Sequence, residues 1–406
     1  MTPMKSSLEK VIPAAQSLPK GPVFGWSNFR HLDLPGIPSV EDLPHTAFTT
    51  SGRAAIYQAL LQMRLPPNSD VLLPTYHCPT MVAPVLKAGH QPVFFGIRED
   101  GLPDLQHISL AAAKNARAMI VAHYFGLAQS LREVREWCDA QGIALIEDCA
   151  HNYFGLAGER PIGAWGDYCT ASLSKFFPVP EAGLLGSALH KLAPMDLDRQ
   201  GLRSEVKAWV DVVETAVQYR QLPGLNRPLA ALFSLKQRLR SRGQVQTHTA
   251  GESSAAMMGS CDMARIACQP LTASVLVRRV SPCGRIVSLR HRNFELFAQL
   301  LADQPGSKIL VQLPIHPVAP YVFPIWVDDV DRIYHELRTI GMPVFRWDRI
   351  WPGAPRLPND VGLDWSRHVI QLLCHQDLSE QAIKYTAHTL LNLLKSSGPA
   401  QAAFAR

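Results

Sequence analysis

The feature that most constrains the fold is a pair of apolar runs. Ala118-Met-Ile-Val-Ala122 comes first, and Ile143-Ala-Leu-Ile146 follows, ending in Glu147-Asp148. A continuous apolar run suits a parallel strand covered on both faces, whereas a strand with one wet face alternates. Between the two runs Leu131, Val134 and Trp137 recur at steps of three, as one face of a helix does. Upstream, Val71-Leu-Leu-Pro74, a helix over 81–88 and Pro92-Val-Phe-Phe95 repeat the rhythm. Strands that alternate with helices predict an α/β fold, a mainly parallel sheet sandwiched by helices.

At 406 residues the chain can bury a large core in one or two domains. The pattern predicts an N-terminal arm over 1–45, a large α/β domain over 46–285 and a smaller C-terminal α+β domain over 286–406. Within the last, 321–327 reads as a strand, and 286–302, 330–340 and 379–394 as helices. Residues 196–250 are helical and polar, with a basic cluster at Lys236 to Arg242, and 246–262 read as a loop.

With 47% hydrophobic and 18% charged residues and a formal charge of +6, the composition is that of a soluble globular protein. No dense Lys/Arg run carries interleaved aromatics, which argues against nucleic acid. No apolar stretch approaches the ~20 residues of a membrane span, and none resembles a secretory leader. The eight cysteines form no CxxC pair and read as reduced thiols of a cytoplasmic protein, with no metal site.

The chemistry centres on Lys175, in Ala171-Ser172-Leu-Ser-Lys175-Phe-Phe177. A lysine amine, of ordinary pKa ~10.4, is a nucleophile only when unprotonated. Burial or a neighbouring cation lowers that value and permits Schiff-base chemistry. Alone, Lys175 reads as a surface lysine after a strand. Ser172 stands where its hydroxyl can reach a phosphate beside that amine. Asp148 ends a buried strand, and ligands of parallel α/β sheets bind beyond the carboxyl ends of strands. An Asp there can keep a pyridine nitrogen protonated, or it can simply cap a helix. Thr50-Ser51-Gly52-Arg53-Ala-Ala55 opens a helix whose free N–H groups suit a phosphate, with Arg53 adding a charge-assisted contact. The other reading is an ordinary capped helix. His123 can face the same sheet edge or bond to backbone, and Cys149 reads as a small core residue.

The order of these segments resembles the DegT/StrS family of sugar aminotransferases. Carrying the resemblance are Thr50 to Ala55, Val71 to Tyr76, Ala88 to Val93, Ala122-His-Tyr-Phe-Gly126, Ile146-Glu-Asp-Cys-Ala-His151 and Ser172 to Lys175. It is close over 48–190 and loose over 285–394. It implies a fold type I enzyme dependent on pyridoxal 5′-phosphate (PLP). Lys175 would hold the cofactor and shuttle a proton, and Asp148 would bind the pyridine nitrogen. His151 would lie near the phenolic oxygen. Ser51, Gly52, Arg53 and Ser172 would hold the phosphate.

The implied reaction moves an amino group, commonly from glutamate, to a keto group on a nucleotide-linked sugar, in a homodimer. Two alternatives stand beside it. One is an elimination or dehydration on the same fold, and the other is a regulator that merely binds PLP. Where the family carries an aromatic residue stacked on the ring, this chain has Cys78, with Tyr76 and His77 nearby as candidates. Phe176 to Gly183 replaces the usual glycine-rich turn. Asn226 is the candidate for the partner-subunit phosphate contact. In the C-terminal region Arg346 and His375, with Trp347 and Gln376, fall where the small domain meets substrate. Arg346, Arg349 and Arg356 would suit a diphosphate or form a solvated surface.

Overall fold

The computed structural model describes residues 18–30, 36–238, 253–302, 304–313 and 318–396. Nine strands form between His45 and Ser187. They are β1 His45–Thr49, β2 Asp70–Pro74, β3 Gln91–Phe95, β4 Ala116–Ala122, β5 Ala144–Asp148, β6 Leu156–Ala157, β7 Arg160–Pro161, β8 Tyr168–Ser172 and β9 Gly183–Ser187. All but the small hairpin β6–β7 join one sheet of order β1-β9-β8-β5-β4-β2-β3. The apolar runs at 71–74, 92–95, 118–122 and 143–146 supply β2, β3, β4 and β5, which pair in parallel, as β5 and β8 do. Only β9 runs against its neighbours, β1 and β8. The sheet is therefore mainly parallel.

Helices cover both faces. The helices Gly52–Met63, here α1, and Pro79–Lys87, here α2, pack on the face shared by Val71, Leu73, Ile120 and Ile146. The opposite face, with Leu72, Met119, Val121 and Leu145, joins a core that continues into the C-terminal region. There β10 Ser307–Ile309, β11 Val322–Val327, β12 Val344–Phe345 and β13 Val369–Leu373 form an antiparallel sheet of order β10-β11-β13-β12. The helices Cys283–Leu300, Val330–Thr339 and Glu380–Ser396 accompany it.

One expectation changes. Residues 254–260, read as loop, form a helix capped by Ser253, whose hydroxyl accepts from the Ala256 amide at 3.3 Å. The described part of the N-terminal arm is also packed on the body. The Val23 amide donates to Asp377 at 2.9 Å, and buried Asn28 donates to Ser281 at 3.0 Å. Residues 1–17, 239–242 of the basic cluster and 246–252 of the loop lie outside the described residues.

Candidate active site

Asp148 and Lys175 come together at the carboxyl ends of β5 and β8, where a parallel sheet binds its ligands. Successive side chains of a strand point to opposite faces, so Glu147 and Asp148 part company. Asp148 shares the face of Ile146 and lines a cavity of about 500 Å³. Its Oδ1 accepts from the Ala150 amide at 2.9 Å and the Thr170 hydroxyl at 3.2 Å. Oδ2 takes no hydrogen bond from the described residues. Burial pushes this carboxyl above its ordinary range, and the nearby Lys175 charge opposes the shift.

Glu147 turns away beneath the 163–166 turn. Its two oxygens accept from the amides of Gly163 at 2.8 Å, Trp165 at 2.8 Å and Gly166 at 3.2 Å, and from His123 Nε2 at 2.9 Å. His123 therefore bonds to a carboxylate, not to backbone, and its ring lines the cavity. His123, Glu147 and Cys149 lie within metal-binding reach of one another. Glu147 is nevertheless already saturated by four donors, which makes the group a buttress for the turn. Cys149 is buried, and burial holds its thiol well above the ordinary range, as the core reading expects.

Lys175 closes a 3-10 turn, Leu173–Lys175, directly after β8. Phe176 and Phe177, fully buried against Tyr153 and Phe154, anchor the turn where a glycine-rich segment was the family expectation. The Lys175 amine lies 5.1 Å from the centroid of the Tyr321 ring. Burial pushes its pKa down, with the negative charge of Asp148 pulling the other way.

The third wall is the start of α1. Ser51 caps it, accepting from the Ala54 amide at 3.2 Å, so the Gly52 and Arg53 amides have no helical acceptor. A Cβ on Gly52 would stand 3.4 Å from that of Ser172, which places the helix start beside the end of β8. At Gly183 a Cβ would overlap the Ser51 carbonyl, so only glycine lets β9 pass this turn. Thr50, Ser51, Gly52, Arg53 and Ser172 all line the cavity. Arg53 is held by Asp262 through Nε to the main-chain carbonyl at 3.0 Å and Nη2 to Oδ2 at 3.1 Å. Asp262 and Arg265 close the cavity from the segment after the 254–260 helix, with Arg265 also paired to Glu181.

His151 lies in the wall, its ring 4.5 Å from Tyr321 and 4.8 Å from Trp347. Its Nδ1 accepts from the Phe125 amide at 3.3 Å, which leaves the proton on Nε2. Burial and the Lys175 charge hold its pKa well below the ordinary value. Tyr321 is positioned from the Phe125-Gly126 turn, where its amide donates to the Phe125 carbonyl at 2.8 Å. Phe125 sits at φ 61° and Gly126 at φ 90°, and a Cβ on Gly126 would collide with the Tyr321 amide.

Four expected site residues lie elsewhere. Tyr76 is fully buried among Tyr124, Trp347 and Trp365, and Gln371 donates to its hydroxyl at 3.4 Å. His77 stacks on Phe94, donates to the Pro74 carbonyl at 2.9 Å and accepts from the Trp351 amide at 3.0 Å. Neither lines the cavity; Cys78 does. Arg346 is tied to Asp331 and to the Ser366 carbonyl, and His375 Nε2 donates to the Pro19 carbonyl at 3.0 Å. Both satisfy structural partners outside the cavity wall. Asn226 accepts from the Leu222 amide at 3.2 Å, at the start of a helix. Tyr321, Asp262 and Arg265 were missed, because each is brought in by tertiary folding and none sits in a local motif.

The donors fit PLP in kind. They offer an amine, a carboxylate with one oxygen free of described partners, and a helix start with hydroxyls for a phosphate. The cavity volume is within the range of about 300–1,000 Å³ usual for small ligands.

Comparison with known proteins agrees. Residues 41–187 match the DegT/DnrJ/EryC1/StrS aminotransferase family. GDP-perosamine synthase of Vibrio cholerae is 26% identical over 181 residues, 43% of this chain and 49% of that protein. The dTDP-4-dehydro-2,3,6-trideoxy-D-glucose 4-aminotransferase of Saccharopolyspora spinosa is 26% identical over 155 residues, 37% of this chain and 40% of that protein. The matches thus span half or less of these relatives' length. The structure of S. venezuelae DesV in complex with a ketimine intermediate superposes with TM-score 0.60 at 17% identity, over 88% of this chain and 86% of that one. Such a likeness shows a shared fold, the fold type I architecture expected from the sequence. Over residues 41–187 the chain is therefore similar to the DegT/DnrJ/EryC1/StrS aminotransferase family.

Proposed function

We propose that this protein is a PLP-dependent aminotransferase that moves an amino group from glutamate, or a similar donor, to a keto group of a nucleotide-linked sugar. The reaction would serve polysaccharide or glycosylated-metabolite biosynthesis. The observation that carries the reading is the meeting of Lys175, Asp148 and the start of α1 around one cavity. Bound there, PLP supplies an electron sink for negative charge developing at the substrate carbon. Lys175 is the residue that holds it covalently, and Lys175 Nζ carries the proton to and from the reacting carbon. The free oxygen of Asp148 keeps the ring nitrogen protonated. The amides of Gly52 and Arg53, with the hydroxyls of Ser51 and Ser172, hold the phosphate. The Nε2 proton of His151 is available to the phenolic oxygen.

The relatives' names support the substrate class, since both refer to amino or keto sugars on nucleotides. A homodimer belongs to the reading. In support, Leu202, Val206 and Trp209 are exposed at helical spacing along Leu202–Gln218. No helix among the described residues is long and apolar enough to cross a membrane, which accords with a cytoplasmic enzyme. The substrate class is tested by supplying the aminated cofactor form with a nucleotide-linked keto sugar, or with pyruvate or oxaloacetate. Rapid return of the PLP absorbance with the sugar is expected. Return with the small keto acids alone would refute the substrate class.

A further inference from the structure

A fully buried arginine stands behind the Lys175 turn. Arg290 projects from the helix Cys283–Leu300 and has no exposed surface. Its Nε donates to Gln376 Oε1 at 2.9 Å. Nη1 donates to the carbonyls of Pro320 at 3.0 Å and Tyr321 at 3.3 Å, and Nη2 donates to the carbonyl of Lys175 itself. Gln376 then passes the constraint on, its Nε2 donating to the Phe176 carbonyl at 2.8 Å. The guanidinium also lies 4.7 Å from the centroid of the Phe176 ring.

One rigid planar group therefore holds the main chain of both Lys175 and Tyr321, whose side chains meet in the cavity. Three segments converge on it: the turn after β8, the residues leading into β11 and the residues leaving β13. A buried guanidinium is costly unless its donors are satisfied, and a Met or Leu would fill the same space without that cost. Here all acceptors bonded to Arg290 among the described residues are neutral oxygens. The carboxylate nearby, Asp377, is paired with Arg285 at 2.8 Å. Burial lowers the Arg290 pKa to about 10, so the group stays charged at neutral pH. Its fork geometry cannot be reproduced by lysine.

We propose that Arg290, acting with Gln376, is the positioning residue that aims the Lys175 amine into the cavity against Tyr321. The inference rests on the reading of Lys175 as the residue that captures PLP. Capture is a condensation in which the amine adds to the aldehyde carbon and one water leaves. A misaimed amine slows this step and slows proton transfer, while the phosphate and ring contacts, which come from other elements, persist.

The test uses the full chain with Arg290→Lys, Arg290→Ala and Gln376→Glu, the last keeping an acceptor for Arg290 but losing the donor to Phe176. Capture of PLP is followed by absorbance and by borohydride fixation on Lys175. Affinity for pyridoxine 5′-phosphate, which has no aldehyde, is measured separately. Capture is expected to slow about tenfold or more in Arg290→Lys and Gln376→Glu, with pyridoxine phosphate affinity within about twofold of wild type. Added guanidinium ion should restore capture in Arg290→Ala. Capture at the wild-type rate in Arg290→Lys and Gln376→Glu overturns the proposal. So does a parallel loss of pyridoxine phosphate binding, which marks general disruption. Failure of wild type to capture PLP on Lys175 overturns the proposed function and this inference together, and is seen in the control alone.

Discussion

Asp148 has one oxygen committed to Ala150 and Thr170 and one left for a ligand, in a setting that pushes its carboxyl up. A cationic ring nitrogen would reverse that shift by pairing with the carboxylate. Asp148→Asn is expected to keep the fold and to bind PLP more weakly by about 1.5–3 kcal/mol. Turnover should fall more, on the order of a hundredfold, because an amide cannot hold the nitrogen protonated. Equilibrium binding and steady-state rates on the same preparation check this, and near-normal turnover would place the cofactor elsewhere. That Lys175, Asp148, Ser172 and the 50–53 turn come together at one cavity was legible in the sequence because each belongs to a short segment whose strand or helix ends there. Tyr76 and His77 were misjudged by one or two positions. Cys78 faces the cavity and its two predecessors face the core, which the sequence pattern of a turn does not distinguish. Arg346 and His375 were plausible by type, but Asp331 and the Pro19 carbonyl had claimed them first.

At the scale of elements, the site depends on β8, the Lys175 turn and β9 returning past the start of α1. Gly183 is the tightest point, because a Cβ there would overlap the Ser51 carbonyl and stand 2.6 Å from the Thr49 hydroxyl. Gly183→Ala is therefore expected to destabilise the protein by about 1–3 kcal/mol, and to weaken phosphate binding by displacing the helix start. Glu147→Gln acts on the other face of β5. Its amide would present donors to amides that need acceptors, at a cost of about 1–3 kcal/mol. Urea midpoints test both, and unchanged midpoints would show that the turns adapt. The parallel strands were readable because doubly covered strands are continuously apolar. In contrast, β1, β8 and β9 carry Thr, Ser and Gly among their apolar residues and gave no such run.

For the whole molecule, buried histidines set a pH dependence. Burial holds His77 and His375 at about 4 and His151 well below its ordinary value. The unfolded chain takes up these protons near pH 6.5 and the folded protein does not, so stability is lost as pH falls below that value. Each histidine costs about 1.4 kcal/mol per pH unit inside the window. Asp148, pushed up, acts in the opposite sense but is one group against several. The urea midpoint should therefore be clearly lower at pH 5 than at pH 7, and equal midpoints would contradict the buried neutral imidazoles. The measurement closest to the central claim is chemical. The protein is mixed with PLP, reduced with borohydride, digested and mapped by mass spectrometry. The account expects one phosphopyridoxyl group per chain, on Lys175. The group on another lysine, spread over many lysines or on none would contradict it.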